Sequence, residues 1–176
     1  MFDNKIGRAK AFTQLHLFYC VIIVSTFGLY VAINGLPKVG AGDEVLAYAL
    51  MFLMNLIYFL FCFVWCINDS VALLAIDEKI HCLVLCCVIF GFTMNISAVL
   101  ILIYPSLIIA CGLVWDLMAL FRNDMTPDFI GNSFFGYMTL FTVVMFLGTI
   151  LSSFSLYYSY QSKKEFSTLD SSMPDV

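Results

Sequence analysis

The chain has 176 residues, of which 62% are hydrophobic and only 11% charged, with mean hydropathy +0.99 and a formal net charge of −4. Soluble domains usually hold about 45–50% apolar and about 25% charged residues, so this composition is that of a single integral membrane domain. An acidic chain lacks the basic patch a nucleic-acid partner requires, and seven cysteines lying in or beside apolar runs do not read as a secreted disulfide scaffold.

Residues 1–10 carry Lys5, Arg8 and Lys10 and lead into an apolar stretch over 11–33. That stretch is longer than a signal-peptide core, and Tyr30 and Ile33 stand where cleavage needs small residues, so a retained first span is predicted over 13–33. Within it, Ser25, Gly28, Ala32 and Gly35 recur at helical spacing, a seam of small residues that lets another helix approach closely. Asn34-Gly35-Leu36-Pro37 ends the span in a turn.

Two charge-free spans follow, 45–67 and 80–104, joined by a polar connector that opens on Asn68-Asp69-Ser70 and closes on Asp77-Glu78-Lys79. Each is long enough at 1.5 Å per residue to cross a hydrocarbon core of about 30 Å, so the pair reads as a transmembrane hairpin. Asn55 and Asn95 fall at matching depths, about 12–15 Å below the same surface, and are expected to bond as an interhelical pair. Nearer the other surface, Cys62 and Cys66 match Cys82 and Cys86 in depth, each pair spaced to share one helix face. They read as small packing residues, or, for Cys66 and Cys82 near the cytosolic interface, as palmitoylation sites. A metal site among these four has suitable ligand types, but several thiolates buried in lipid without a nearby cation are costly. No metal or other cofactor is therefore expected.

The apolar run from Ile80 continues almost to Phe121, twice the length a bilayer needs, and Pro105 is the natural place for it to break. Residues 106–121 then form an interfacial or re-entrant helix, with Trp115 at the headgroups and Asp116 and Arg122 toward water; the alternative is a fifth span with Asp116 buried. After a polar segment containing Thr126-Pro127, a last span is predicted over 134–158, with a second small-residue seam at Gly148, Ser152, Ser155 and Ser159. The Ser-rich stretch 161–176 reads as a disordered cytosolic tail, leaving 1–160 as one membrane domain. Four spans place Lys5, Arg8, Lys10, Lys79, Lys163 and Lys164 inside and only Lys38 and Arg122 outside, as the positive-inside rule favours. The expected fold is thus an all-α integral membrane four-helix bundle with both termini cytosolic.

The last span runs into Phe154-Ser-Leu-Tyr-Tyr-Ser-Tyr-Gln161, and this segment, with the size and span number, resembles the lysosome-associated four-span transmembrane proteins and related small invertebrate tetraspan proteins. The resemblance implies a non-enzymatic role in endolysosomal trafficking or at cell junctions, in the endolysosomal or plasma membrane. The tyrosine- and proline-based tail motifs of the lysosomal members are not intact, since Tyr160 is followed by Gln-Ser-Lys. With no catalytic residue set in the sequence, the expected function is lateral association in the bilayer with other membrane proteins or itself, as an adaptor or accessory subunit. The alternative is a small transporter or channel-forming protein with a path lined by Asn55, Asn95 and Asp116.

Overall fold

The computed structural model describes residues 5–34, 43–121 and 133–170, all but a short turn of them helical. There are four helices: α1 (Lys5–Asn34), α2 (Asp43–Asp77), α3 (His81–Phe121) and α4 (Ser133–Asp170). All four are long and apolar enough to cross a membrane. A helix satisfies its own backbone hydrogen bonds, which is why a chain this apolar takes that form throughout. The segments expected to be loops at 35–42 and 123–132, and Gly35 of the first seam, lie outside the described residues.

The helices are 30, 35, 41 and 38 residues long, longer than the predicted spans, and the extra length comes from three places where polar residues or proline suggested an end. First, Asn68-Asp69-Ser70 is not a connector. It lies within α2, Ser70 Oγ donates to the Cys66 carbonyl at 2.7 Å, and Asn68 and Asp69 are buried. The apolar stretch Val71-Ala-Leu-Leu-Ala-Ile76 carries the helix on to Asp77. The true turn is far tighter: Lys79 adopts φ 55° and Ile80 N–H donates to the Ala75 carbonyl at 2.9 Å, the six-to-one bond of a Schellman cap.

Second, α3 passes through Pro105 without ending, so 106–121 continues α3 and is not a separate interfacial or re-entrant helix. Proline removes the donor that would reach the Ile101 carbonyl, a loss of one backbone bond that a membrane helix tolerates; next to it, Ser106 Oγ donates to the Leu102 carbonyl at 2.7 Å. Third, α4 reaches Asp170, so the described part of the expected tail is helical. No Gly or Pro interrupts 149–173, and Ser162 is buried with its hydroxyl bonded to the Ser159 carbonyl.

Two compact units divide these helices. One contains α1, α2, α3 as far as Asn95 and α4 from Ile150; the other spans Ile96–Thr149. The first is a four-helix bundle. Lys10 pairs with Asp77, His16 with Asp69 and Phe27 with Phe52, so residue numbers fall on α2 as they rise on α1 and the two run antiparallel. Thr13 Oγ1 meets Ser155 Oγ at 2.9 Å and Phe12 stacks on Phe154 and Tyr158, which docks α4 on α1. Gly91 closes the bundle: a Cβ there would meet Leu156 Cδ2 at 2.5 Å and Asn68 Nδ2 at 3.2 Å, so α3 approaches α2 and α4 as closely as a glycine permits. Ala9, Ala75, Ile76 and Val84 pack at the end of this bundle that holds the α2–α3 turn.

In the second unit, Ala98, Leu102, Met138, Phe141 and Met145 are buried. Thr142 and Thr149 bond back to the carbonyls of Met138 and Met145, which hides their hydroxyls from an apolar setting. Large side chains such as Phe18, Ile22, Leu60, Ile89 and Phe146 are exposed, the surface a bilayer would cover.

Candidate functional site

Two matched stripes meet inside the first unit. Thr13, His16 and Cys20 recur at i, i+3 and i+7 on α1, and Cys62, Trp65 and Asp69 at the same spacing on α2, so each set lies on one helix face. All six residues are buried. Packing these stripes together places a histidine, a carboxylate and thiols in one apolar enclosure.

His16 is the centre. Its Nδ1 lies 2.6 Å from Asp69 Oδ2, and its Nε2 lies 3.6 Å from Cys20 Sγ. With Asp69 ionised, Nδ1–H donates to the carboxylate, and Nε2 is left as an acceptor for the Cys20 S–H. A carboxylate taken into this setting without a partner would be strongly unfavourable, so the imidazole holds it there. The Cys62 and Cys66 thiols adjoin the Cys20 sulfur. Trp65 packs its ring edge-on to His16, with centroids 5.3 Å apart.

A wider polar layer surrounds this core, with Thr13 bonded to Ser155 and Asn95 Nδ2 donating to Ser153 Oγ at 3.2 Å. Two buried atoms of the layer, Trp65 Nε1 and Asn95 Oδ1, have no hydrogen-bond partner among the described residues. Farther along α1 the character changes. Tyr19 and Tyr58 share a hydrogen bond of 2.7 Å, and beyond them Phe27 packs on Phe52 and Phe59. The polar layer is thus capped on that side by a tyrosine pair and then by aromatic rings.

The residues expected to matter are distributed differently. Asn95 takes Ser153 of α4, not Asn55, as its partner, because equal depth does not fix the direction in which a side chain points around its helix. Asn55 is half-buried on α2. Cys62 and Cys66 turn toward Cys20 on α1; Cys82 and Cys86, their expected neighbours, are exposed. The seams separate as well: Ser25, Gly28 and Ala32 are exposed, whereas Gly148, Ser152, Ser155 and Ser159 are buried. The side chain of Asp116 lies outside the described residues.

His16, Cys20, Asp69, Tyr19, Tyr58 and Trp65 were not anticipated as a group. One signal was available, since His16 is the only Asp, Glu, Lys, Arg or His between Lys10 and Lys38. An ionisable residue in a membrane span is a functional candidate by default. The second was the apolar run after Asp69, which argues for a longer helix with the carboxylate inside it.

Fold and site together define an all-helical protein of membrane-spanning character with an acid–imidazole–thiol cluster between its first two helices. No protein family, characterised protein or solved structure matches the chain.

Proposed function

We propose that this chain is a non-enzymatic four-span membrane protein that works by lateral association, as an adaptor, junctional or trafficking component, or accessory subunit. The observation that carries the reading is the exposed small-residue face of α1. Ser25, Gly28 and Ala32 form a shallow strip, and a Cβ at Gly28 would meet nothing within 4 Å. Such a strip lets a second helix come close enough for backbone and side-chain packing, which is what drives association where lipid is as apolar as the protein. The six-to-two distribution of basic residues favours both termini in the cytosol, and the membrane is the plasma or an endolysosomal one.

The test is co-purification from mild detergent. Gly28→Leu and Ala32→Leu should each remove the associated protein, whether a partner or a second copy, while the variant remains folded and inserted. Undiminished association in both variants would refute the reading.

A second reading, a small transporter, is favoured by one specific observation: the buried His16–Asp69 pair. The capping of the polar layer by Tyr19–Tyr58 and Phe27 argues against an open path through a single copy. In reconstituted vesicles, a proton or cation flux lost in His16→Leu but kept in Gly28→Leu would replace the first reading with the second.

A further inference from the structure

The geometry points to a sterol-binding groove between α2 and α3, with the Asn68 amide as the partner of the sterol hydroxyl. The groove has a volume of about 270 Å³ and is walled by Val64, Ile67 and Val71 of α2 and by Cys86, Cys87 and Phe90 of α3. Asn68 brings the one amide among these thiols and hydrocarbon side chains. Apolar walls with a single convergent polar group are the composition of a small-molecule site.

Asn68 is the residue that calls for a ligand. It is 8% exposed, and its side-chain amide makes no hydrogen bond to the described residues. Burying an amide that far without a partner is costly, and the other polar groups at this level, Thr13 with Ser155 and His16 with Asp69, are all paired. A Cβ on Gly91 would stand 3.2 Å from Asn68 Nδ2, so the amide reaches across to α3 next to Phe90.

Charge and depth select the ligand. No residue lining the groove carries a charge, and the neighbouring Asp69 turns its carboxylate to His16. A phosphate or a fatty-acid carboxylate would meet no counter-ion there, which leaves a neutral lipid. A hydrocarbon core about 30 Å thick takes about 20 residues of helix. Counted from Val45 along α2 they end at Val64; counted back from Asn34 along α1 they end at Leu15, beside the His16 that pairs with Asp69. Asn68 therefore stands at one edge of the hydrocarbon, and Ile67 and Val64 continue the groove inward. A sterol lies in a bilayer in just this way, with its hydroxyl at the edge and its rings within. A hydroxyl both donates and accepts, as an amide does, whereas the ester carbonyls of glycerolipids only accept. The walls are also stiff, since valine and isoleucine each keep one strongly preferred rotamer in a helix. A rigid ring system loses little freedom against them, whereas a flexible acyl chain must be ordered. Sterol binding is independent of lateral association, because the groove and the strip at Gly28 share no residue.

The experiment uses the full chain reconstituted in phosphatidylcholine vesicles with a cholesterol analogue that carries a diazirine and an alkyne. After illumination, labelled peptides should come from 64–71 and 86–90. Unlabelled cholesterol should compete, while its 3-methyl ether, which cannot donate a hydrogen bond, should compete poorly. Asn68→Leu should bind the analogue about tenfold more weakly, the worth of one hydrogen bond. It should unfold no more readily than the unaltered protein in sterol-free detergent, since the amide has no partner to lose. Ile67→Trp, at an exposed wall position, fills the groove and should abolish labelling with Asn68 intact. Labelling of Asn68→Leu at full strength would overturn the proposal. So would crosslinks outside the groove, equal competition by the methyl ether, or displacement by ceramide or diacylglycerol in preference to cholesterol.

Discussion

The two ends of the α1–α2 interface are held by different means. Toward the α2–α3 turn, Lys10 pairs with Asp77 and His16 with Asp69; toward the far end, Phe27 packs on Phe52 and Phe59. In water the aromatic end would be the stronger, because burying rings removes apolar area from solvent. In a bilayer that advantage fades, since the alternative neighbours of a ring are lipid chains that are equally apolar. A polar contact keeps its value only in proportion to how poorly its members fare without each other. The buried acid–imidazole pair is therefore the contact whose loss should matter most.

Substitutions along the interface sharpen that contrast. The largest effect is expected where the carboxylate is stranded: His16→Leu should cost about 3–5 kcal/mol in a detergent or bicelle unfolding measurement, and Asp69→Leu, which leaves a neutral imidazole unpaired, about 1–3 kcal/mol. Gly91→Leu should come next. Its side chain would have to displace Leu156 and Asn68, and overpacking of that kind costs about 1–3 kcal/mol, read from the same unfolding curve. Thr13→Val removes the bond to Ser155 and leaves that hydroxyl in a buried position, for an expected loss of about 1 kcal/mol. The smallest is Lys10→Met. Its pair with Asp77 is partly exposed, and the effect should stay within about 1 kcal/mol and shrink further in high salt.

Much of this architecture was legible in the sequence, for a physical reason. Apolar runs of sufficient length are compelled to be helices, so four helices long and apolar enough to cross a membrane followed from composition, although residues 106–121 belong to the third of them and are not a helix of their own. The ends of the helices did not. Asn68-Asp69-Ser70 looks like a turn in any window of hydropathy, because hydropathy counts polar groups without asking whether a partner helix can satisfy them. The actual turn carries neither Gly nor Pro and is marked by the charged run Asp77-Glu78-Lys79 and by the backbone conformation of Lys79. Pro105 is the opposite case: a membrane helix passes through a proline at the loss of a single backbone bond.

The site was hidden for a related reason. Depth along a helix can be read from residue number, whereas the direction around it depends on which neighbours it meets. Asn55 and Asn95 agreed in depth and diverged in partner, while His16 and Asp69 fell on facing stripes. One of that pair was obscured as part of a supposed connector. Spacing alone does not single out Cys20: Cys62, Cys66, Cys82 and Cys86 pair at i, i+4 within the following hairpin, whereas the thiol that meets Cys62 lies on α1.

The coupling between His16 and Asp69 is what ties α1 to α2 in the polar layer, and a double-mutant cycle measures it. Each single leucine replacement leaves a polar partner alone in an apolar setting, and replacing both removes the demand. The expected result is that His16→Leu/Asp69→Leu is more stable than either single variant, with a coupling of at least about 2 kcal/mol. Single effects below about 1 kcal/mol that simply add would contradict it, because the two side chains would then not be holding α1 and α2 together.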